Sequence, residues 1–358
     1  MKHLRTAVTL TALAAFTALQ LRRGRTGTPP APTDTAAPPA LPVTPERVSV
    51  LVPGWKAAND LPPFMEAFRA LTHPNLQLVL CVGGPDGSLE LARRLAPDHV
   101  VLEQRPGEGK QKALERSLEE SDGDVILLTD IDCRLTDDVV QALLGTLHAS
   151  GSAAVTGASM PLRAQLSIPL VRSHYATEVA TLPGRAEPVD GLLGRSAAVR
   201  RDALKGTRAF SVPAPSGTDY TLAKVLAQAG HRITFAPGPR IESEYPDTVR
   251  VYAHKQARWL RNAYLLGRRY GAEQEVRAVQ RTLAVPFVLS GLLLASPLFP
   301  PLAVLAALLF AHAVIGRTRL QRQAGLAPSV LGSAVHTAGD LWASLKACRD
   351  ILRGQTPW

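Results

Sequence analysis

Two aspartates separated by one residue directly follow an apolar stretch: Asp130 and Asp132, in Thr-Asp-Ile-Asp at 129–132. Carboxylates at i and i+2 that leave the end of a strand can present both groups to one divalent cation, because such cations prefer oxygen ligands. The pattern therefore predicts a site for Mg²⁺ or Mn²⁺, with coordination positions left open for a diphosphate. Acids after a strand also serve as turn residues or helix caps, so the motif alone leaves that alternative open.

Three further polar residues lie where a chain element begins or ends. Asp86 stands in the segment 82–88, whose glycines allow a flat ligand to approach the backbone closely. Lys110 opens a helical segment, where its ammonium group would meet a phosphate. Asp219 begins another helical segment and is placed to act as a base. Each residue has a plainer alternative, as a turn residue, a solvated lysine or a helix-dipole partner, but their combination in this order favours a nucleotide site.

With these residues in this order, the segment from Arg47 to Asn262 resembles the family 2 inverting glycosyltransferases, which have the GT-A fold. The resemblance implies that Asp86 contacts the nucleotide base and that Lys110 approaches the diphosphate. It also implies that Asp130 and Asp132 bind the metal and that Asp219 is the catalytic base. The segment 190–204 is similar to the acceptor-side segment that precedes the base in that family.

Membrane members of this family, such as the cellulose, hyaluronan and ceramide sugar transferases, carry Q-x-x-R-W after the base. The matching residues here are Lys255, Arg258 and Trp259, with lysine in place of the glutamine. Lys255, Arg258 and Asn262 recur at i, i+3 and i+7, so they would share one face of a helix. The resemblance implies that Arg258 and Trp259 bind the donor or the acceptor. The alternative is an interfacial basic helix whose arginines extend to lipid headgroups.

The end of the first predicted strand departs from the family pattern. Members of the family usually read V-P-x-x-N-E there, whereas this chain reads Val-Pro-Gly-Trp-Lys-Ala at 52–57, so the usual acid is absent at Ala57. Trp55 is predicted to stack on the nucleotide base, or else to belong to the core. The departure leaves the identity of the sugar and of the base open, but not the fold.

The elements that must position these residues follow from apolar stretches that alternate with amphipathic ones. Strands are predicted at 47–53, 76–82, 99–102, 125–129, 153–156 and 231–236. Helices are predicted at 61–71, 88–95, 110–120, 220–229 and 247–270, with one more ending at 148. This alternation predicts a Rossmann-like α/β domain, in which a parallel sheet is covered by helices on both faces. Ligands of such sheets bind at the carboxyl ends of the strands.

The charge pattern predicts a membrane partner and excludes nucleic acid. The formal net charge is +10, but only 5% of residues are aromatic and no basic run alternates with them. Arginines instead flank two uncharged apolar stretches, 6–21 and 282–316, as in segments anchored beside anionic headgroups. Cys81, Cys133 and Cys348 form no C-x-x-C pair, which indicates a reducing compartment and no metal–thiolate site.

These observations predict five segments along the chain. They are an N-terminal membrane anchor at 1–25, a proline-rich linker at 26–46, the GT-A domain at 47–270, a transmembrane helical hairpin at 282–316 and an amphipathic interfacial helix at 329–353. The hairpin is expected as two helices of roughly 16 residues that turn at 297–301. The arginines after the first apolar stretch predict a catalytic domain that faces the cytoplasm from the cytoplasmic membrane.

The expected activity is metal-dependent transfer of a sugar, with inversion, from a nucleotide diphosphate sugar to a lipid-linked or saccharide hydroxyl. A UDP-sugar is the expected donor. The alternatives are a processive polysaccharide synthase and a membrane scaffold with a decayed nucleotide site, the latter motivated by Ala57 and Lys255. A nucleotidyl or phosphoryl transferase is not supported, because the chain has no G-x-x-x-x-G-K-[ST] loop.

Overall fold

The computed structural model describes residues 46–211 and 216–354. The predicted anchor at 1–25 and nearly all of the predicted linker lie outside the described residues. The strands are β1 (Val48–Trp55), β2 (Leu76–Gly83), β3 (Val100–Glu103), β4 (Val125–Leu128), β5 (Cys133–Arg134), β6 (Ala154–Thr156), β7 (Ser159–Pro161), β8 (Pro188–Val189), β9 (Ala197–Arg200), β10 (Ile233–Phe235) and β11 (Ile241–Ser243). The helices of the first part are α1 (Leu61–Arg69), α2 (Ser88–Leu95), α3 (Gly109–Glu119), α4 (Asp137–Ser150), α5 (Pro169–Val179), α6 (Arg201–Leu204) and α7 (Thr218–Gln228).

Four long helices follow in the last third of the chain. They are α8 (Val249–Arg269), α9 (Glu273–Ala295), α10 (Pro301–Gln323) and α11 (Val330–Leu352). The strands and helices predicted up to residue 156 and from 220 onward in the sheet domain are confirmed, with ends that differ by a residue or two. The segment between them is more regular than the sequence suggested, since it contains β7, β8, β9, α5 and α6.

The main sheet has eight strands in the order β3-β2-β1-β4-β9-β6-β10-β8. The first four strands pair in parallel, so their carboxyl ends meet at one edge. The expectation of a wholly parallel sheet was wrong, because β9 lies antiparallel between β4 and β6, and β8 is antiparallel to β10. The antiparallel β9 brings the chain before Ala197 to the carboxyl end of β4, since Ala197 pairs with Leu128.

Helices cover the main sheet on both faces, as near-continuous apolar strands require. On one face, Val50 and Val52 of β1 pack with Phe64 of α1 and Leu143 of α4. On the other face, Leu51 packs with residues of α3, α6 and α7. Both clusters are almost fully buried, so the strand ends that carry the polar residues are fixed by a packed core.

A second sheet of three strands, in the order β5-β11-β7, continues from the carboxyl edge of the main sheet. Its strand β5 follows the Asp130–Asp132 motif directly, with Cys133 paired to Ser243 of β11. The segment that leaves β4 is therefore held by backbone pairing within a few residues of both aspartates.

The last helix, α11, packs closely against α8 and α5 through two glycines. A Cβ atom at Gly339 of α11 would lie 2.9 Å from the ring of Tyr252 of α8, and one at Gly332 would lie 2.4 Å from the carbonyl oxygen of Pro169 of α5. His336 accepts or donates in hydrogen bonds to Tyr252 and to Ser173, at 2.9 and 3.0 Å. The close contacts and the buried polar network hold α11 against the helix that carries Arg258 and Trp259.

Two of these helices, α9 and α10, are long and apolar enough to cross a membrane. Many of their apolar side chains are exposed, with Leu294 of α9 82% and Val304 of α10 60% accessible. Such exposed apolar area favours membrane association. The two helices are 23 residues each, longer than the roughly 16 residues expected. The difference arises because α9 begins at Glu273 and α10 continues to Gln323, so each includes a charged segment beside its apolar stretch.

Candidate active site

The carboxyl edge of the main sheet opens into a cavity of about 1550 Å³. Six of the predicted site residues line it: Trp55, Lys110, Asp130, Asp219, Arg258 and Trp259. They come from β1, α3, the end of β4, α7 and α8, which are far apart in the sequence. The sheet topology therefore brings most of the predicted site together in one place. Asp86 and Asp132 do not line this cavity and are described separately below.

Lys110 and Asp130 form an ion pair in the wall of the cavity, with Nζ and Oδ1 2.5 Å apart. Burial alone would lower the pKa of Lys110, but the carboxylates of Asp130 and Asp219 outweigh it and raise that pKa above its ordinary value. Burial alone would raise the pKa of Asp130, but Lys110 and Arg195 hold it below its ordinary value. Both groups are therefore charged at neutral pH.

Asp219 lies in the first turn of α7, where a carboxylate is favoured by the helix dipole. The preceding Gly217 has a φ of +80°, which lets the chain turn sharply into the helix. Asn262 of α8 accepts a hydrogen bond from the Ser216 hydroxyl at 2.7 Å and so ties this turn to the helix of Arg258 and Trp259. The position of Asp219 thus depends on both α7 and α8.

Gly194 lies between the two charged groups. A Cβ atom at this position would lie 3.0 Å from Cβ of Asp219 and 3.6 Å from Nζ of Lys110. Asp219, Lys110 and Asp130 are therefore neighbours, and the absence of a side chain at Gly194 allows their approach. A carboxylate beside a fixed ammonium group is suited to accept a proton next to a bound phosphate.

Asp132 lies outside the cavity lining, near the carboxylate of Asp60. Burial and the negative charges of Asp132 and Glu244 raise the pKa of Asp60. No ion pair within the described residues neutralises Asp132, whose side chain is contacted by the Cys133 thiol at 3.6 Å. This surplus of negative charge beside Asp130 fits a divalent cation.

A cation here would obtain few ligands from the protein. Among the described residues, no group of three or more His, Cys, Asp or Glu side chains is placed to hold a metal ion together. Two carboxylates, from Asp130 and Asp132, match the way in which Mg²⁺ is commonly held, by one or two carboxylates together with substrate phosphates. The residues therefore fit a metal that binds with its substrate.

Asp86 performs a structural role at the end of β2. Its carboxylate accepts hydrogen bonds from the Ser88 hydroxyl at 2.6 Å and from the Ala58 amide at 3.0 Å. Burial raises the pKa of Asp86 slightly, but these bonds outweigh it and lower the pKa below its ordinary value. The turn role considered from the sequence is thus present, and the exposed carboxylate remains charged beside the cavity.

Trp55 stands at the opening of the cavity with 40% of its surface exposed. Its ring lies 3.4 Å from the Cβ position of Gly83, and a side chain at Gly83 would also meet the carbonyl oxygen of Gln104 at 2.0 Å. Lys56, which follows Trp55, has a φ of +56°, a conformation rare for a non-glycine residue. The alternative that Trp55 belongs to the core does not hold, and its exposed ring is available for stacking.

Along α8, Lys255, Arg258 and Asn262 all line the cavity, so they share one face as the spacing predicted. Arg258 and Trp259 are exposed, with Trp259 59% accessible. Ala57, in contrast, is buried and donates its amide to the Ser88 hydroxyl at 2.8 Å. The two departures from the family pattern thus differ: Lys255 faces the cavity, whereas position 57 is part of the packed core.

Gly194 and Arg195 line the cavity but were not singled out from the sequence. Both belong to the segment 190–204, which the resemblance associated with the acceptor side without assigning roles to single residues. The signal that would have found Arg195 is its position between a glycine and an apolar strand, where a cation is otherwise unexpected. The pairing of β9 with β4, which places it beside Asp130, has no counterpart in the local sequence pattern.

Known proteins resemble this chain in sequence and in structure. An N-acetylglucosaminyltransferase of Azorhizobium caulinodans is 26% identical over 63% of this chain and 61% of its own length. An N-acetylglucosaminyltransferase of Rhizobium meliloti is 29% identical over 44% of this chain and 39% of its own length. A third such protein, from Bradyrhizobium diazoefficiens, is matched over 49% of its length, so the chain spans between 39 and 61% of these curated relatives.

A solved structure has a similar fold over almost the whole chain. The mannosyltransferase from Pyrobaculum calidifontis, in complex with GDP-Man and Mn²⁺, superposes with a TM-score of 0.60 and covers 96% of this chain and 98% of its own, at 20% identity. The chain therefore has the GT-A glycosyltransferase fold. Residues 45–262 match the family described as glycosyltransferase like family 2, the same segment that carries the sheet and the cavity. Because this match spans more than half of the chain, the chain belongs to the glycosyltransferase like family 2.

Proposed function

We propose that the protein transfers a sugar from a nucleotide diphosphate sugar to a hydroxyl acceptor, with inversion at the anomeric carbon. The observation that carries the proposal is that Asp219 and Lys110 both lie beside Gly194, and that Lys110 is paired with Asp130 in the same cavity. Such a displacement requires a base, which Asp219 supplies, and a fixed positive charge, which Lys110 supplies. Asp130, with Asp132 nearby, supplies the carboxylates.

In the proposed reaction, Asp219 accepts the proton of the acceptor hydroxyl while that oxygen attacks the anomeric carbon. Lys110 stabilises the negative charge that develops on the departing diphosphate. A divalent cation held by Asp130 and Asp132 supplies further neutralisation of that charge when it is bound. Attack from the face opposite the leaving group inverts the configuration in a single step.

We propose a UDP-sugar as the donor. Trp55 stacks on the base, Asp86 contacts its edge, and the diphosphate reaches towards Lys110. The names of the relatives make UDP-N-acetylglucosamine the first donor to test. The complex of the structural neighbour makes GDP-mannose the donor to test against it.

The proposed acceptor is lipid-linked or otherwise amphipathic and receives one sugar. Arg258 and Trp259 are exposed on α8 at the cavity, where a guanidinium and an indole suit the headgroup region of a lipid or a saccharide. The apolar helices α9 and α10 follow α8 directly and would hold the cavity near the lipid surface. In this arrangement the catalytic domain faces the cytoplasm at the cytoplasmic membrane.

The predicted interfacial segment at 329–353 fits the same arrangement. Exposed apolar side chains recur along one face of α11, at Leu331, Trp342, Leu345 and Leu352. Arg349 lies on the same exposed face, at the spacing that places it beside Leu345 and Leu352. A face of this kind would lie in the membrane interface while the opposite face packs against α8.

The function is tested by incubating membranes that contain the protein with a panel of radiolabelled nucleotide sugars and Mn²⁺. The proposal predicts metal-dependent label in a lipid-extractable product from one donor. Polymeric product would support the processive synthase instead. A protein that binds no nucleoside diphosphate in the presence of Mn²⁺, and transfers no label from any donor, would support the decayed scaffold and overturn the proposal.

A further inference from the structure

Arg195 lines the cavity next to the residues of the proposed reaction. It follows Gly194, which lies beside both Asp219 and Lys110, and precedes β9, which pairs with β4, the strand before Asp130. Neither the motifs of the sequence nor the proposed mechanism uses this residue.

The guanidinium of Arg195 has most of its hydrogen-bonding capacity unused. Its Nη1 donates to the Ser243 hydroxyl of β11 at 2.8 Å. Within the described residues it makes no other side-chain hydrogen bond and no ion pair closer than 4.0 Å. Because a guanidinium has five N–H donors, the remaining ones are available to a ligand in the cavity.

The charges around Arg195 fix it in its protonated form beside the two motif aspartates. Burial alone would lower its pKa, but Asp130, the Cys133 sulfur and Asp132 outweigh it and raise the pKa above its ordinary value. Arg195 and Lys110 both lower the pKa of Asp130. A diphosphate bound beside Asp130 would therefore meet two fixed cations.

The charge balance of the site gives this second cation a purpose. Lys110, Arg195 and Lys255 all lower the pKa of Asp130, so their charges oppose those of the carboxylates of Asp130, Asp132 and Asp219. An anionic diphosphate binds and leaves more favourably where the net charge is positive. Arg195 adds one positive charge to this balance.

Two neighbouring arginines show how a purely structural arginine looks in this fold. Arg201 donates from Nε to the Gly123 carbonyl at 2.5 Å and from Nη2 to the Ser121 hydroxyl at 2.7 Å. Arg200 donates to the carbonyl oxygens of Ser152 and Leu147. Neither lines the cavity, whereas Arg195 lines it and, in the part of the chain that the structure describes, its side chain hydrogen-bonds to Ser243 alone.

We propose that Arg195 contacts the diphosphate of the nucleotide sugar and stabilises it as the leaving group; this inference rests on the proposed function. In the step, the bond between the anomeric carbon and the diphosphate oxygen breaks, and both electrons remain on that oxygen. The acceptor oxygen forms the new bond to the anomeric carbon, and its proton passes to Asp219. Arg195 and Lys110 hold the negative charge that the diphosphate gains.

The test measures the binding of UDP, UMP and uridine to the full-length protein in detergent, by calorimetry with Mn²⁺ present, and repeats the set with guanine nucleotides. Arg195→Ala is expected to weaken nucleoside diphosphate binding about 10- to 100-fold, since a charge-assisted hydrogen bond is lost. Binding of the nucleoside is expected to stay within about twofold, and Arg195→Lys should fall between the two. Arg200→Ala is the matched control, which loses structural hydrogen bonds outside the cavity and is expected to bind as wild type does.

Ser243→Ala separates a ligand contact from a structural one, because it removes the hydrogen-bond partner that Arg195 has among the described residues and keeps the guanidinium. The proposal predicts that Ser243→Ala changes diphosphate binding much less than Arg195→Ala does. An Arg195→Ala variant that binds the diphosphate as tightly as wild type would overturn the proposal. So would an equal loss of nucleoside and diphosphate binding that Ser243→Ala reproduces. Wild-type protein that binds no nucleoside diphosphate would instead overturn the proposed function and this inference together.

Discussion

The ammonium nitrogen of Lys110 lies 2.5 Å from Oδ1 of Asp130, although 20 positions separate the two residues in the chain. Lys110 opens α3 and Asp130 follows β4, so the pair joins a helix start to a strand end at the carboxyl edge of the sheet. The pair keeps the motif aspartate charged while no diphosphate is bound. Once a donor binds, Lys110 is already positioned to meet its phosphates.

The Lys110–Asp130 pair gives a pH dependence with a defined sign. The lowered pKa of Asp130 means that its contribution to stability is present above the ordinary aspartate pKa, near about 4, and is lost as pH falls through the folded value. The raised pKa of Lys110 means that its contribution is present below about 10 and is lost as pH rises further. We expect the melting temperature of Lys110→Met to lie furthest below that of wild type between those limits, and the difference to shrink as pH falls through the folded pKa of Asp130 or rises through that of Lys110.

The magnitude of this effect is modest, because the side chains of Lys110 and Asp130 are 37% and 27% exposed. Thermal melting in detergent at several pH values measures it. Lys112→Met is the control, since Lys112 is more exposed than Lys110 and pairs with Glu115 on the same helix. A Lys110→Met deficit that stays constant as pH is lowered from 7 to the lowest pH at which both proteins are folded would show that the loss comes from packing and not from the ion pair.

Gly194 and Gly191 provide a matched pair of substitutions in one segment. A Cβ at Gly194 would lie 3.0 Å from Cβ of Asp219, whereas a Cβ at Gly191 would have no atom within 4 Å. We expect Gly194→Ala to displace Asp219 by a few tenths of an ångström and to lower kcat, by less than the roughly 100-fold that a misplacement of about 1 Å causes. Gly191→Ala should retain wild-type kcat in the same transfer assay. Equal rates for the two variants would mean that Asp219 tolerates the displacement and is not the base.

Metal dependence should act through Asp132. Removing this carboxylate leaves Asp130, which is already paired with Lys110, as the remaining motif ligand. We expect Asp132→Asn to weaken Mn²⁺-dependent binding of the nucleoside diphosphate by at least about 10- to 100-fold, which is the loss that even outer partners of metal ligands cause. In EDTA, wild type and variant should bind alike.

Calorimetry with and without Mn²⁺ compares the two proteins directly. Asp202→Asn is the control for a lost acidic charge, because Asp202 is exposed and pairs with Lys205 on α6, away from the cavity. If Mn²⁺ strengthened diphosphate binding to Asp132→Asn as much as to wild type, the metal would be held elsewhere.

Much of the fold follows from local patterns in the sequence. Leu76–Gly83 and Val125–Leu128 are apolar runs that end at polar residues, and parallel pairing of such strands necessarily collects those residues at one edge. The segment 88–95 was predicted with the bounds that the structure shows, since its amphipathic pattern begins and ends clearly. Lys110, Asp130 and Asp219 could be predicted to lie close together because each stands at the beginning or the end of a predicted element, in the order that the resemblance implies.

The remainder depends on contacts between distant segments. The antiparallel β9 has only four residues, and its pairing with β4 and β6 is decided by the packing of the whole sheet. Arg195 acquires its place beside Asp130 only through that pairing. The turn role of Asp86 was considered from the sequence, but its bonds to Ser88 and Ala58 depend on how β1 and β2 end side by side.

The most direct measurement of the account is sugar transfer by Asp219→Asn, compared with wild type and with Asp202→Asn, from the donor that the panel identifies. We expect Asp219→Asn to lose about 10²- to 10⁴-fold in turnover, because a general base is removed. We expect its affinity for the nucleoside diphosphate with Mn²⁺ to stay as in wild type. Near wild-type turnover by Asp219→Asn would contradict the central claim that this carboxylate accepts the proton of the acceptor.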